Sequence, residues 1–174
     1  FLMAKEIDFL GKALAGAARP FAAIIGGAKV SDKIALLDNI LSKVDYLLIG
    51  GGMCCTFLKA QNYNVGKSQV EDDKLNLARD LMGKAVGAHV EVVLPEDVVV
   101  AEKFAAGVQF KTVPINSIPS DWYVMDIGPQ TVKSFSERLK KCKTVFWNGT
   151  MGVFEYKEFK AGTEGIAKQL ASLR

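Results

Sequence analysis

Short β-rich apolar runs alternate along the chain with longer stretches whose apolar residues recur at helical spacing. Residues 21–25, 46–49, 90–94, 111–113, 123–126 and 144–147 are rich in β-branched and aromatic side chains and predict strands. Between them, Ile34, Leu37, Ile40, Leu41 and Val44 make one apolar stripe, and Leu75, Ala78, Leu81, Met82 and Ala85 a second. Val132, Phe135 and Leu139 make a third, opened by Pro129 where a helix tolerates proline. Ile166, Ala167, Leu170 and Leu173 make a fourth.

Strands alternating with helices predict an α/β fold, a Rossmann-like three-layer sandwich with a mainly parallel sheet and helices on both faces. The unbroken apolar run Tyr46-Leu47-Leu48-Ile49 fits a sheet buried on both sides. Ligands of such sheets sit beyond the carboxyl ends of the strands, so the residues just after each strand are where chemistry is expected. Four of those positions carry glycine turns: Gly26-Gly27-Ala28-Lys29, Gly50-Gly51-Gly52, Asp126-Ile127-Gly128-Pro129 and Asn148-Gly149-Thr150-Met151-Gly152. Singly, each reads as a strand-to-helix turn; four on one edge predict a nucleotide-sized ligand. The run from Gly26 to Lys33 adds two lysines, four positions apart, at the start of a helical stretch. Close backbone approach, unpaired N–H groups and positive charge there point to a phosphate.

Composition narrows the picture further. The 174 residues suit one domain with a substantial core, and 49% apolar with 24% charged residues is ordinary globular usage. A net charge of +3 is too mild to predict nucleic acid or an anionic membrane surface as a partner. No apolar run approaches the roughly 20 residues that span a bilayer, and the opening residues lack a secretory-signal pattern. The chain opens on Phe1, which suggests a piece of something longer. Its three cysteines, Cys54, Cys55 and Cys142, have neither disulfide-framework nor metal-ligand spacing and read as free thiols. The single histidine, His89, reads as an exposed polar residue, and no Ser/His/Asp set can form around it.

Two familiar phosphate motifs fail. Gly66-Lys67-Ser68 lacks the glycine of a Walker A loop, because Gln61 stands five positions earlier. Gly50 and Gly52 begin a dinucleotide fingerprint, but Cys55 occupies its third glycine position, which makes an NAD-dependent oxidoreductase remote.

Taken together, GGAKVSDKI, LLIGGGM with TFLKA, VGKS, Leu94-Pro95 with Asp97, DIGP and WNGTMGVFE resemble phosphoglycerate kinases, in that family's order and spacing over essentially the whole chain. The opening FLMAKEIDFLGKAL is similar to the helix joining the family's two halves. The resemblance implies a connecting helix over residues 1–18 and a nucleotide-binding α/β domain over residues 19–174, incomplete at its C-terminal end. It implies phosphoryl transfer between 1,3-bisphosphoglycerate and Mg-ADP, giving 3-phosphoglycerate and Mg-ATP, in a cytoplasmic protein that is monomeric when full length, an organellar form also fitting the pattern. Nucleic acid and membrane partners are not expected.

By the same resemblance, Lys33 would neutralise the transferring phosphoryl oxygens and Lys29 would hold nucleotide phosphates. Gly27, Ala28, Gly51 and Gly52 would form a flat wall for adenine, with Phe104 as an apolar neighbour and Val124 and Met125 beside it. Asn148, Gly149 and Thr150 would approach the phosphates. Val153 and Phe154 would flank the base, and Glu155 would accept hydrogen bonds from the ribose hydroxyls. Three positions depart from the family's pattern: Thr150 replaces a proline, Val124 a glycine and Gln69 a leucine, and Val124 is expected to narrow the base pocket. The resemblance places no metal ligand within the chain, the metal-side aspartate belonging to a turn beyond Arg174, and the phosphoglycerate lobe before Phe1. This segment alone is therefore expected to be inactive. The contrasting expectation is a kinase-derived structural or interaction domain that has lost catalysis, which would give no heat on titration with Mg-ADP.

Overall fold

A computed structural model describes residues 14–173 together with Lys5, Asp8, Gly11 and Lys12. The connecting helix expected over residues 1–18 lies mostly outside the described residues. Seven strands follow: β1 (Phe21–Ile25), β2 (Tyr46–Ile49), β3 (Glu91–Val93), β4 (Asp97–Ala101), β5 (Phe110–Pro114), β6 (Tyr123–Ile127) and β7 (Thr144–Asn148). The helices are α1 (Ile34–Ile40), α2 (Cys54–Ala60), α3 (Leu75–Gly87), α4 (Pro129–Leu139) and α5 (Ala161–Ser172).

The main sheet is parallel, in the order β3-β2-β1-β7. Alternation along β1 and β2 sends neighbours to opposite faces. Phe21, Ala23, Ile25, Leu47 and Ile49 join the cluster under α1, α2 and α3. Ala22, Ile24 and Leu48 join the cluster under α4 and α5, with Phe135, Leu139 and Ile166. Every residue of β1 is buried, which explains its unbroken apolar sequence. Each fully buried Ile or Leu there contributes about 1.5–3 kcal/mol relative to exposure.

Strand β4 and the second sheet depart from the expected single sheet. β4 was not foreseen, although Val98-Val99-Val100 is strongly β-forming. It follows β3 after only Leu94, Pro95 and Glu96, and pairs antiparallel with β5 and β6. The strands expected at 111–113 and 123–126 thus exist but lie in this three-stranded sheet, order β5-β4-β6. The other boundaries shift by a residue or so, and Ala167 on the fourth stripe is exposed rather than core.

The entry to α4 is held from a distance. Asp97 at the head of β4 accepts from the N–H of Gln130 (3.0 Å) and of Thr131 (2.8 Å), satisfying first-turn groups that the helix's own N-cap, Gly128, cannot. A Cβ on Gly128 would lie 2.2 Å from the Asp97 carboxyl carbon. The glycine turn after β6 therefore exists to let this carboxylate reach the helix, not to meet a ligand.

Candidate functional site

Register brings the other three glycine turns to one place. Ile25 stands opposite both Ile49 and Asn148, so β1, β2 and β7 end abreast and their turns leave the sheet at the same level. The turns then bond to one another through backbone. Gly26 N–H donates to Asn148 O (2.8 Å), Gly27 N–H to Thr150 O (3.1 Å), Gly51 N–H to Met151 O (3.0 Å) and Met53 N–H to Gly27 O (3.0 Å).

Such contacts leave no room for side chains. Gly51 has φ +68°, and a Cβ there would fall 2.5 Å from Gly27 N; Gly149 has φ +95°, and its Cβ would fall 2.4 Å from the Gly26 carbonyl. These two glycines are required by turn packing, whatever binds nearby. Gly52 is different: it is exposed, and a Cβ would meet only Ala28 at 3.4 Å. Gly51→Ala is thus expected to destabilise the fold by about 3 kcal/mol in denaturant melts. Gly52→Ala is expected to fold normally and to weaken only a ligand lying against that wall. Equal stability losses for the two would contradict this division.

The turns wall a cavity of about 530 Å³. Gly27, Ala28, Gly51 and Gly52 form one side, as expected. Phe104, Val124 and Met125 face them from the antiparallel sheet and the loop after β4. Thr150, Val153 and Glu155 close the end nearest β7. Phe104 is 56% exposed and held edge-on by Tyr123 and Tyr156, with ring centroids 6.3 and 6.4 Å away. Val153 N–H donates to Met125 O at 2.8 Å, fastening the loop after β7 to β6. Among the three departures, Val124, Gln69 and Thr150 all line the cavity, and the Thr150 hydroxyl donates to Gly152 O (3.1 Å).

Five singled-out residues lie outside that lining. Lys33, at the N-cap of α1, sends its ammonium to the Asn148 side-chain oxygen. Its Cε lies 3.5 Å from where a Gly27 Cβ would stand, so this pair adjoins the cavity wall. Gly149 serves the turn packing described above. Lys29 is exposed on the loop between, and Phe154, 50% exposed, is not part of the lining.

Other lining residues were not singled out for the site: Cys54, Cys55, Lys67, Ser68 and Asp126 among them. Lys67 and Ser68 belong to the rejected Walker-like motif. Here Lys67 N–H donates to Trp122 O (2.9 Å), and Ser68 Oγ accepts the Val124 N–H (2.9 Å), stitching this loop to β6. Asp126 is almost wholly buried, accepting from Ile127 N–H and Gly162 N–H at 2.8 Å each. Burial pushes its carboxyl up to about 7, against the pull of those two hydrogen bonds. Among the described residues, no group of three or more His, Cys, Asp or Glu side chains is placed to hold a metal ion, and no helix is long and apolar enough to cross a membrane. His89 is exposed, and the cysteines are free.

The fold and site define an α/β lobe whose glycine turns enclose a cleft at the carboxyl ends of parallel strands, with a lysine–asparagine pair at its edge. The profile of the family "Phosphoglycerate kinase" matches residues 1–174. A cytosolic phosphoglycerate kinase of Nicotiana tabacum is 57% identical over 99% of this chain and 43% of its own length. One from Pelotomaculum thermopropionicum is 52% identical over 99% of this chain and 44% of its own. The structure of phosphoglycerate kinase from Coxiella burnetii superposes with a TM-score of 0.91 at 38% identity, over 99% of this chain and 44% of that one. The chain belongs to the phosphoglycerate kinase family. It spans less than half the length of these relatives.

Proposed function

We propose that this chain forms the ATP/ADP-binding lobe of a cytosolic phosphoglycerate kinase, which transfers a phosphoryl group between 1,3-bisphosphoglycerate and ADP in glycolysis. The observation that carries the reading is the junction of an apolar, glycine-walled cavity with the Lys33–Asn148 pair. A purine would lie between Gly51–Gly52 and Val124, and the ribose hydroxyls would reach Glu155. The phosphates would run toward Lys33, with Lys29 drawn in from its exposed loop. Lysine and amide donors suit phosphate oxygens and repel a bare cation, so the magnesium ion would ride on the nucleotide phosphates and be held from outside the residues described. It would supply charge neutralisation, while the phosphoglycerate would come from the other lobe of the full-length protein.

Calorimetric titration of the full-length protein with Mg-ADP tests this. Saturable heat is expected, weakened in the Gly52→Ala variant. No heat in the intact protein would instead favour a lobe retained for structure alone.

A further inference from the structure

Lys29 and Lys33 sit on a loop with little of its own to hold it. From Gly26 to Lys33 the backbone forms neither helix nor strand, and α1 has no side-chain cap at its start. The ends of the loop are pinned: Gly26 and Gly27 bond to the end of β7 and the turn after it, and the Lys33 ammonium meets Asn148. Between them, among the described residues, the stretch from Ala28 to Asp32 has a single side-chain partner elsewhere in the chain. That partner is Glu71, whose carboxylate accepts the Ser31 N–H (3.1 Å) and the Ser31 hydroxyl. Two charge-assisted bonds to one residue fix its backbone as well as its side chain. Ser31 lies two positions from each lysine, and Val30 beside it is fully buried.

Glu71 is itself anchored. Its N–H donates to Oγ1 of Thr56 (3.2 Å), a buried residue of α2. It ends a strap, residues 67–71, whose other end is stitched to β6 and whose Lys67, Ser68 and Gln69 line the cavity. The strap thus runs from the Val124 side of the cavity to the lysine loop. The bonding of the carboxylate has an electrostatic consequence as well. Placed so close in the chain to two ammonium groups, it could quench either; instead it is spent on Ser31, and among the described residues neither Lys29 nor Lys33 has an ion-pair partner. We propose that Glu71 is a positioning residue for phosphoryl transfer. Through Ser31 it fixes the loop that presents Lys29 and Lys33 to the nucleotide phosphates, and it leaves both ammonium charges free for them.

This role rests on the nucleotide reading of the cavity, and the test separates the two. In the full-length protein, Glu71→Ala is expected to lower kcat roughly tenfold, because a slightly misplaced charge is costly in a reaction that depends on positioning. It should weaken Mg-ADP, whereas inhibition by adenosine, which has no phosphates, should be unchanged. Glu71→Gln can accept the Ser31 N–H through its carbonyl and donate its NH₂ to the Ser31 oxygen, so it should keep kcat within about threefold of the parent. Ser31→Ala keeps the N–H bond and should cost less than Glu71→Ala, and nothing further when combined with it. Parent kcat in Glu71→Ala would overturn the positioning role while leaving nucleotide binding untouched. So would a Glu71→Gln enzyme as slow as Glu71→Ala, or equal weakening of Mg-ADP and adenosine, the mark of a merely structural residue. A parent protein that neither binds Mg-ADP nor transfers phosphoryl would sink the nucleotide reading, and this role with it.

Discussion

Replacing Lys33 with alanine is expected to lower kcat of the full-length enzyme by about 10²–10³-fold while leaving its melting temperature nearly unchanged. A migrating phosphoryl group offers a protein little covalent chemistry to perform, so rate depends on positioning and on charges fixed in advance around the equatorial oxygens. Lys33 is fixed in advance. It stands at the N-cap of α1, its stem lies along Gly27, and Asn148 at the end of β7 holds its ammonium. The side chain is only half-buried and its partner is a neutral amide, so removing it strands no buried charge. A loss of rate without loss of stability follows. Lys29 is exposed on the same loop, and its alanine variant should raise KM for ADP more than it lowers kcat. Steady-state kinetics with thermal melts on both variants would decide; a Lys33→Ala enzyme with wild-type kcat would remove this residue from the mechanism.

What could be read in advance follows physical lines. β1 and β2 were legible because a strand buried on both faces must be apolar throughout, and FAAII and YLLI are. The antiparallel sheet was not separable by pattern. β4 opens on a charged residue, Asp97, whose burial makes sense only with the N–H groups of Gln130 and Thr131, far along the chain. β5 is mostly exposed and shows no clean alternation. In the site, the glycine turns announced themselves, but Gly128 was grouped with them on sequence grounds, and only register separates it. Cys54 and Cys55 read only as free thiols, and Asp126 only as the head of the DIGP turn. The cysteines open α2, a helix that the apolar spacing did not predict, and the acidic residue of β6 acquires meaning through Gly162, 36 residues later. Ser68 likewise matters through Val124, 56 residues on, rather than through the motif around it.

Asp126 leads to the second large effect, on stability rather than rate. Its carboxyl titrates near 7 in the folded chain against an ordinary 3.8. Between those values the unfolded chain has lost its proton while the folded chain keeps it, so stability must fall as pH rises from about 4 to about 7, then level off. Over that window the loss is roughly 4 kcal/mol. Asp126→Asn removes the titration but also one of two acceptors, leaving either Ile127 N–H or Gly162 N–H facing an amide NH₂ at a cost of about 1–3 kcal/mol. The variant should therefore be less stable than the parent at pH 5 and match or exceed it at pH 8. Melting curves recorded across that range would show the two lines crossing or converging, whereas parallel lines would mean that the carboxyl is already ionised at pH 5. The effect should extend to the site, because Asp126 binds β6 to the start of α5 and lies under Gly152. A Cβ on that glycine would come 2.4 Å from its Oδ1, so the loop carrying Thr150 and Val153 rests directly on the titrating group.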